Sequence, residues 1–154
     1  MNTIAHTQVL EALLARLRKL TPESQRRWGT LTPGEMLCHL ADASDSVLGT
    51  RVPPGPKGTG VPRPVMKWYM LYSRLPWPRG VKTRPGVNPK KDGTRPGDFE
   101  RDRTRAIDSL TALAAAPAER ALNPIHFMAG PMSREDWFRW AYLHTNHHLR
   151  QFGL

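Results

Sequence analysis

A single cysteine, Cys38, rules out an internal disulfide and with it the small disulfide-stapled secreted scaffolds. Long apolar runs are missing too. The most apolar N-terminal stretch, Val9 to Leu20, is broken by Glu11, Arg16, Arg18 and Lys19, and nothing approaches a continuous membrane span. No basic start leads into an apolar core and a small-residue cleavage site, so the expectation is a cytoplasmic protein with no membrane partner. Acidic residues are nearly absent from the middle of the chain: residues 51–97 hold eleven Lys or Arg and one acid, Asp92. That segment alone carries the whole formal charge of +10, and the remainder balances.

The same segment holds ten of the fifteen prolines, which forbid long regular elements through it. What surrounds it is helical in pattern. A first helix over about Thr3 to Leu20 places Leu10, Leu13, Leu14 and Leu17 on one buried stripe. A second opens at Thr32-Pro33-Gly34-Glu35, a threonine cap with proline at the first helical position and glutamate three residues after the cap. It should end near Leu48, before Gly49, with Met36, His39 or Leu40, Ala43 and Val47 inward. Val65 to Leu75 predicts a short helix, stopped by Pro76-Trp77-Pro78. The run Arg79 to Gly97 is too polar to have a core of its own and should lie over the body or be mobile.

A third long helix starts near Asp98, with Phe99, Ala106, Ile107, Leu110, Leu113 and Ala114 as its apolar face, and ends before Pro117. Asn123 to Pro131 reads as loop. Ser133-Arg-Glu-Asp136 opens the last helix, which carries Trp137 to Phe152. With 154 residues and no convincing strand, the expectation is one all-α domain over residues 1–154, able to bury roughly 68–70% of its unfolded surface. It is a helical body with a basic, Pro/Gly-rich connection between the second and third long helices.

Three of the six histidines crowd the end of the last helix, as His144-Thr-Asn-His147-His148. His144 and His148 are four apart, so they share a face with Trp137, Trp140 and Ala141 and point inward. Buried imidazoles need partners, and a pair one turn apart can share a transition metal. The third ligand from another element is His39, on the inward face of the second helix. Three imidazoles leave a coordination position open, the arrangement of catalytic rather than structural sites. By ligand type zinc fits best, with nickel, iron and manganese as alternatives.

Groups able to orient these imidazoles are Asp42, one turn after His39, and Gln151, three residues beyond His148. As readily, Asp42 is an ordinary exposed helix aspartate and Gln151 faces water or substrate. His147 points partly aside and supports rather than ligates. His126 lies in a loop that would fold over the site mouth. Cys38 and His39 form no dyad, since helix neighbours point about 100° apart; Cys38 is read as a small core residue.

Two segments carry a resemblance: Arg27-Trp28-Gly29-Thr-Leu-Thr-Pro-Gly-Glu35-Met36-Leu-Cys-His39-Leu-Ala-Asp42 near the start, and His144-x-x-His147-His148-Leu-Arg-Gln151-Phe-Gly153 at the end. The loop of His126, Phe127 and Gly130 before Ser133-Arg-Glu-Asp-Trp137 adds to it. In these the chain resembles the DinB-like superfamily, and within it a subgroup without an assigned reaction. The resemblance implies a four-helix bundle holding a divalent metal on one histidine of the second helix and two of the last, here His39, His144 and His148. It also implies chemistry with a low-molecular-weight thiol cosubstrate, by analogy with relatives that are transferases and isomerases.

The leading expectation is thus a metal-dependent thiol transferase or related hydrolase, acting on a small and anionic molecule suited to the basic segment. Against it stands a non-catalytic module in which Lys67, Trp68, Tyr69, Tyr72, Arg74, Trp77 and Arg79 bind nucleic acid or an acidic partner. A purely structural metal is the third reading. Homodimerisation is left open.

Overall fold

A computed structural model describes residues 1–51 and 60–154. Its helices are α1 (Thr7–Arg18), α2 (Pro33–Val47), α3 (Arg63–Leu71), α4 (Phe99–Ala114) and α5 (Arg134–Gln151). Residues 52–59 of the basic segment lie outside the described residues.

The long helices start where side chains replace the missing backbone partners. Thr32 accepts from the Glu35 amide while the Glu35 carboxylate accepts from the Thr32 amide, closing a capping box at α2. Ser133 and Asp136 make the same reciprocal pair at α5, and Asp98 caps α4. α2 ends at the expected point, where Gly49 takes the left-handed conformation. α1 is shorter than its pattern predicted, because the chain before Thr7 is turn and its anchor is Ile4, fully buried outside the helix.

α1, α2, α4 and α5 make an all-α bundle. α2 packs chiefly on α4, α1 touches α4 and α5, and α3 lies on the outside of α5. The leucine stripe of α1, the apolar residues of α2, and Ala106, Leu110 and Leu113 of α4 meet in one core with Trp137, Trp140 and Leu149. Each such large side chain, fully buried, contributes roughly 1.5–3 kcal/mol. Eleven of the fifteen α2 residues are buried, so it is the central helix rather than a surface amphipath.

One expectation is corrected. Part of the loop 123–131 is a small antiparallel hairpin, β1 (Ile125–His126) and β2 (Gly130–Pro131), with His126 opposite Gly130. Two-residue strands leave no alternation to read, and Gly130 supplies the positive φ of 75° that the return needs.

The run Arg79 to Gly97 lies over the body, one of the two outcomes its composition left open. Val87 is 5% exposed, Lys90 donates to the Thr30 carbonyl, and Arg51 donates to the carbonyls of Gly86 and Asp92. Among the described residues no helix is long and apolar enough to cross a membrane.

Candidate metal centre

His39 projects from the middle of α2 and His144 and His148 from one face of α5. Their nitrogens all lie within 4.8 Å of one another. Nε2 of His39 is 3.1 Å from Nε2 of His144. The ring centroids are 5.0 Å (His39–His144), 4.8 Å (His39–His148) and 4.7 Å (His144–His148) apart, with each pair steeply inclined. Three imidazoles thus converge edge-on, nitrogen toward nitrogen.

Two of the three are oriented from behind. His39 Nδ1 donates to the Val87 carbonyl at 2.8 Å, which leaves its Nε2 lone pair facing the cluster. His148 Nδ1 donates to Gln151 Oε1 at 2.8 Å, with the same consequence. His144 is held by stacking on Trp140, at 4.5 Å and 12°. Burial lowers the pKa of all three, most strongly for His144 and His148, where the neighbouring imidazoles add to it; for His39 the Val87 carbonyl and Asp42 oppose it in part. All are neutral near pH 7, the form a metal requires.

The donor set fits a divalent cation on this geometry. Two nitrogens bound about 2.0–2.1 Å from one tetrahedral ion stand roughly 3.3 Å apart, close to the His39–His144 separation. With its Nδ1 proton committed to Val87, His39 can only accept at Nε2. A cation shared by the lone pairs satisfies all three rings at once.

Of the other residues singled out in the sequence, Gln151 is 8% exposed and directly behind His148. Asp42 is fully buried, and neither an exposed aspartate nor the partner of His39. Its Oδ1 accepts from Arg105 (2.7 Å), Thr94 Oγ1 (2.7 Å) and Arg51 (3.3 Å), and its Oδ2 accepts from the Thr94 amide (2.7 Å). The carboxylate therefore fastens the basic segment to α2.

His126 is not at the cluster. Its Nδ1 accepts from the Met128 and Ala129 amides, and its ring packs on Trp137 and Trp140. Burial, with the Arg84 charge, pushes its pKa down to about 3. It shapes the hairpin beneath Trp140, one ring away from His144. His147 is half-buried between Trp28 (6.2 Å) and Trp77 (5.8 Å), its pKa lowered by burial, then by Arg150 and Arg79. Cys38 is buried and its thiol is pushed up to about 12 by burial and by Asp102, so it is not a nucleophile.

Two contributors escaped the sequence reading. Trp77, 6.3 Å from His144, covers the cluster from the basic segment. Val87 supplies a backbone carbonyl, for which side-chain identity is no guide; Val81 in the same polar run is just as apolar and is exposed.

The family model for the DinB superfamily matches residues 5–152, nearly the whole chain. The chain belongs to the DinB superfamily. Members of this superfamily are helical bundles that usually bind a divalent metal, and the His39/His144/His148 cluster is a set able to hold one. Comparison with curated proteins and with solved structures returned no match.

Proposed function

We propose that this DinB superfamily protein is a divalent-metal-dependent enzyme, a thiol S-transferase or related hydrolase acting on a small anionic molecule. The observation that carries the reading is the convergence of three neutral imidazoles within 4.8 Å, two with Nδ1 already committed to an acceptor. Three protein ligands leave a position for water or substrate, which separates catalytic from structural sites. Zinc suits the donors best, with nickel, iron and manganese to be separated by reconstitution.

When bound, such an ion acidifies a coordinated water or thiol toward neutrality. The chain's own residues do the rest. Val87 and Gln151 fix the tautomers of His39 and His148, and Trp140 and Trp77 keep bulk water from the rings. His147, half-buried with its ring 5.4 Å from that of His148, is a titratable group placed to hold or release a proton beside the ligands.

A second reading rests on the exposed face of α3, where Val65, Trp68 and Tyr72 stand out at 53%, 58% and 43% exposure among basic residues. That surface suits an acidic macromolecule. The two readings part on salt and on His39. Phosphate-driven binding weakens steeply with salt and survives His39→Ala, whereas metal chemistry tolerates moderate salt and is lost in that variant.

The deciding experiment is elemental analysis of untagged protein purified without chelator, beside His144→Ala, followed by a thiol-transfer and hydrolysis screen. Near-stoichiometric metal, absent from the variant, with turnover of any small substrate supports the enzyme reading. No metal even after reconstitution overturns it.

A further inference from the structure

Next to the histidine cluster, and sharing no residue with it, is a cavity of about 490 Å³ lined by Arg27, Trp28, Arg79, Arg150, Gly153 and Leu154. Three arginines line one hollow. None forms an ion pair with a side-chain carboxylate among the described residues. A fourth arginine, Arg16, is occupied, donating to Asn146 Oδ1 and to the Leu154 carbonyl. The three lining arginines are exposed, so water screens their mutual repulsion, and with no side-chain counter-charge among the described residues they give the hollow a positive potential that favours an anion.

The hollow is built rather than accidental. Arg79 stacks on the Trp28 ring at 4.4 Å, and the Trp28 indole N–H, covered from solvent, has no acceptor among the described residues. Gly153 takes a φ of +79°, and a Cβ there would stand 2.6 Å from an Arg27 guanidinium nitrogen. The positive φ favours glycine at this position, and the Arg27 guanidinium packs closely over it. The volume falls in the range of small-molecule pockets.

Its position relative to the cluster is fixed by short links. The Arg27 amide donates to the Gln151 carbonyl at 2.6 Å, and the Gln151 side chain holds His148. Trp28 faces His147, which touches His148.

We propose that Arg27, Arg79 and Arg150, set around Trp28, form a binding pocket for the oxyanion of a small molecule, a carboxylate or a phosphate monoester. Guanidiniums match both groups in planar, two-pronged geometry. As the anchor of the substrate's acidic end, the pocket rests on the enzyme reading above; as an anion site it stands apart from it.

The test is calorimetric titration of the full chain with inorganic phosphate and, separately, succinate, at low ionic strength. Saturable one-to-one binding is expected, weakened about tenfold or more in Arg27→Gln and in Arg79→Gln, the loss of one charge-assisted contact. Whichever probe binds more tightly assigns phosphate or carboxylate. Binding should persist in His144→Ala, so a failed metal site leaves the pocket standing. Binding that does not saturate by about 10 mM, the weak side of the affinity scale, overturns the proposal. So does binding equal in both arginine variants, or binding lost in His144→Ala alone, which would put the anion on the metal. A short single-stranded oligonucleotide that displaces phosphate with a steep salt dependence would replace the small molecule by nucleic acid.

Discussion

The Val87 carbonyl accepts the Nδ1 proton of His39 across 48 residues of chain, at 2.8 Å. The donor sits on the central helix of the bundle and the acceptor in the basic, proline-rich segment. That segment is therefore part of the candidate metal centre and not a solvated loop beside it. What holds it there is Asp42, which gathers Arg51, Thr94 and Arg105 around one fully buried carboxylate.

Removing that carboxylate should loosen both the fold and the centre. Asp42→Ala takes the acid from Arg51, while Arg105 keeps Asp45 at 2.6 Å, and both guanidiniums are about a third exposed and partly rescued by water. A loss of roughly 2–3 kcal/mol is expected, below the full cost of orphaning a buried charge. Urea unfolding measures it. Metal affinity should fall in the same variant, since the 86–94 segment that carries Val87 loses its anchor. A variant as stable as wild type would show that Asp42 anchors nothing.

Gln151 tests the orientation of His148 without touching a ligand. Its Oε1 accepts the Nδ1 proton at 2.8 Å. Gln151→Ala should lower metal affinity about 10–100-fold, and Gln151→Glu, which keeps the acceptor, should restore it. Gly29→Ala is expected to do part of the same damage. Gly29 has a φ of +84°, and a Cβ there would lie 2.8 Å from Gln151 Nε2. Competition with a chromophoric chelator reads all three, and equal affinities throughout would remove Gln151 from the centre.

The three convergent histidines were legible because i and i+4 on a helix must share a face, and because Thr32 and Glu35 fix the phase of α2 and turn His39 inward. The four long helices followed from apolar period and caps, the physics that sequence encodes locally. The partners of the imidazoles did not follow so well. Asp42, one turn from His39, is on the right helix but serves Thr94 and Arg105, while a carbonyl 48 residues away does the orienting. A backbone acceptor in an irregular segment is set by tertiary placement, and no residue type announces it. The hairpin at His126 escaped for a related reason, being too short to show a period.

Cys38 stands beside His39 in sequence yet should be inert. Its thiol is pushed up to about 12 by burial, with Asp102 adding to it, so thiolate is scarce at pH 8. Native protein is expected to react with iodoacetamide at least about a hundredfold more slowly than a free thiol, and at full rate in denaturant. Rapid native alkylation would mean that α2 opens far more readily than its burial suggests.

Stability should fall with acid earlier than carboxylate protonation explains. His126 has a folded pKa of about 3, and His39, His144 and His148 are likewise lowered by burial. Each is neutral in the fold, while in the unfolded chain it takes a proton below about 6.5. As pH falls from 6.5, the unfolded state gains protons first. The stabilisation is whole above that value and is lost progressively down to the folded pKa. Each group costs up to about 1.4 kcal/mol per pH unit within its window. Urea midpoints between pH 7.5 and 5, in chelator, avoid most carboxylate titration. His126→Asn keeps an acceptor for the Met128 and Ala129 amides without titrating, and should flatten the slope by about one proton. Metal-loaded protein should lose stability more steeply than metal-free protein over the same range, since protons and cation compete for the same nitrogens. A slope unchanged in His126→Asn would mean that this ring takes up a proton without unfolding the chain.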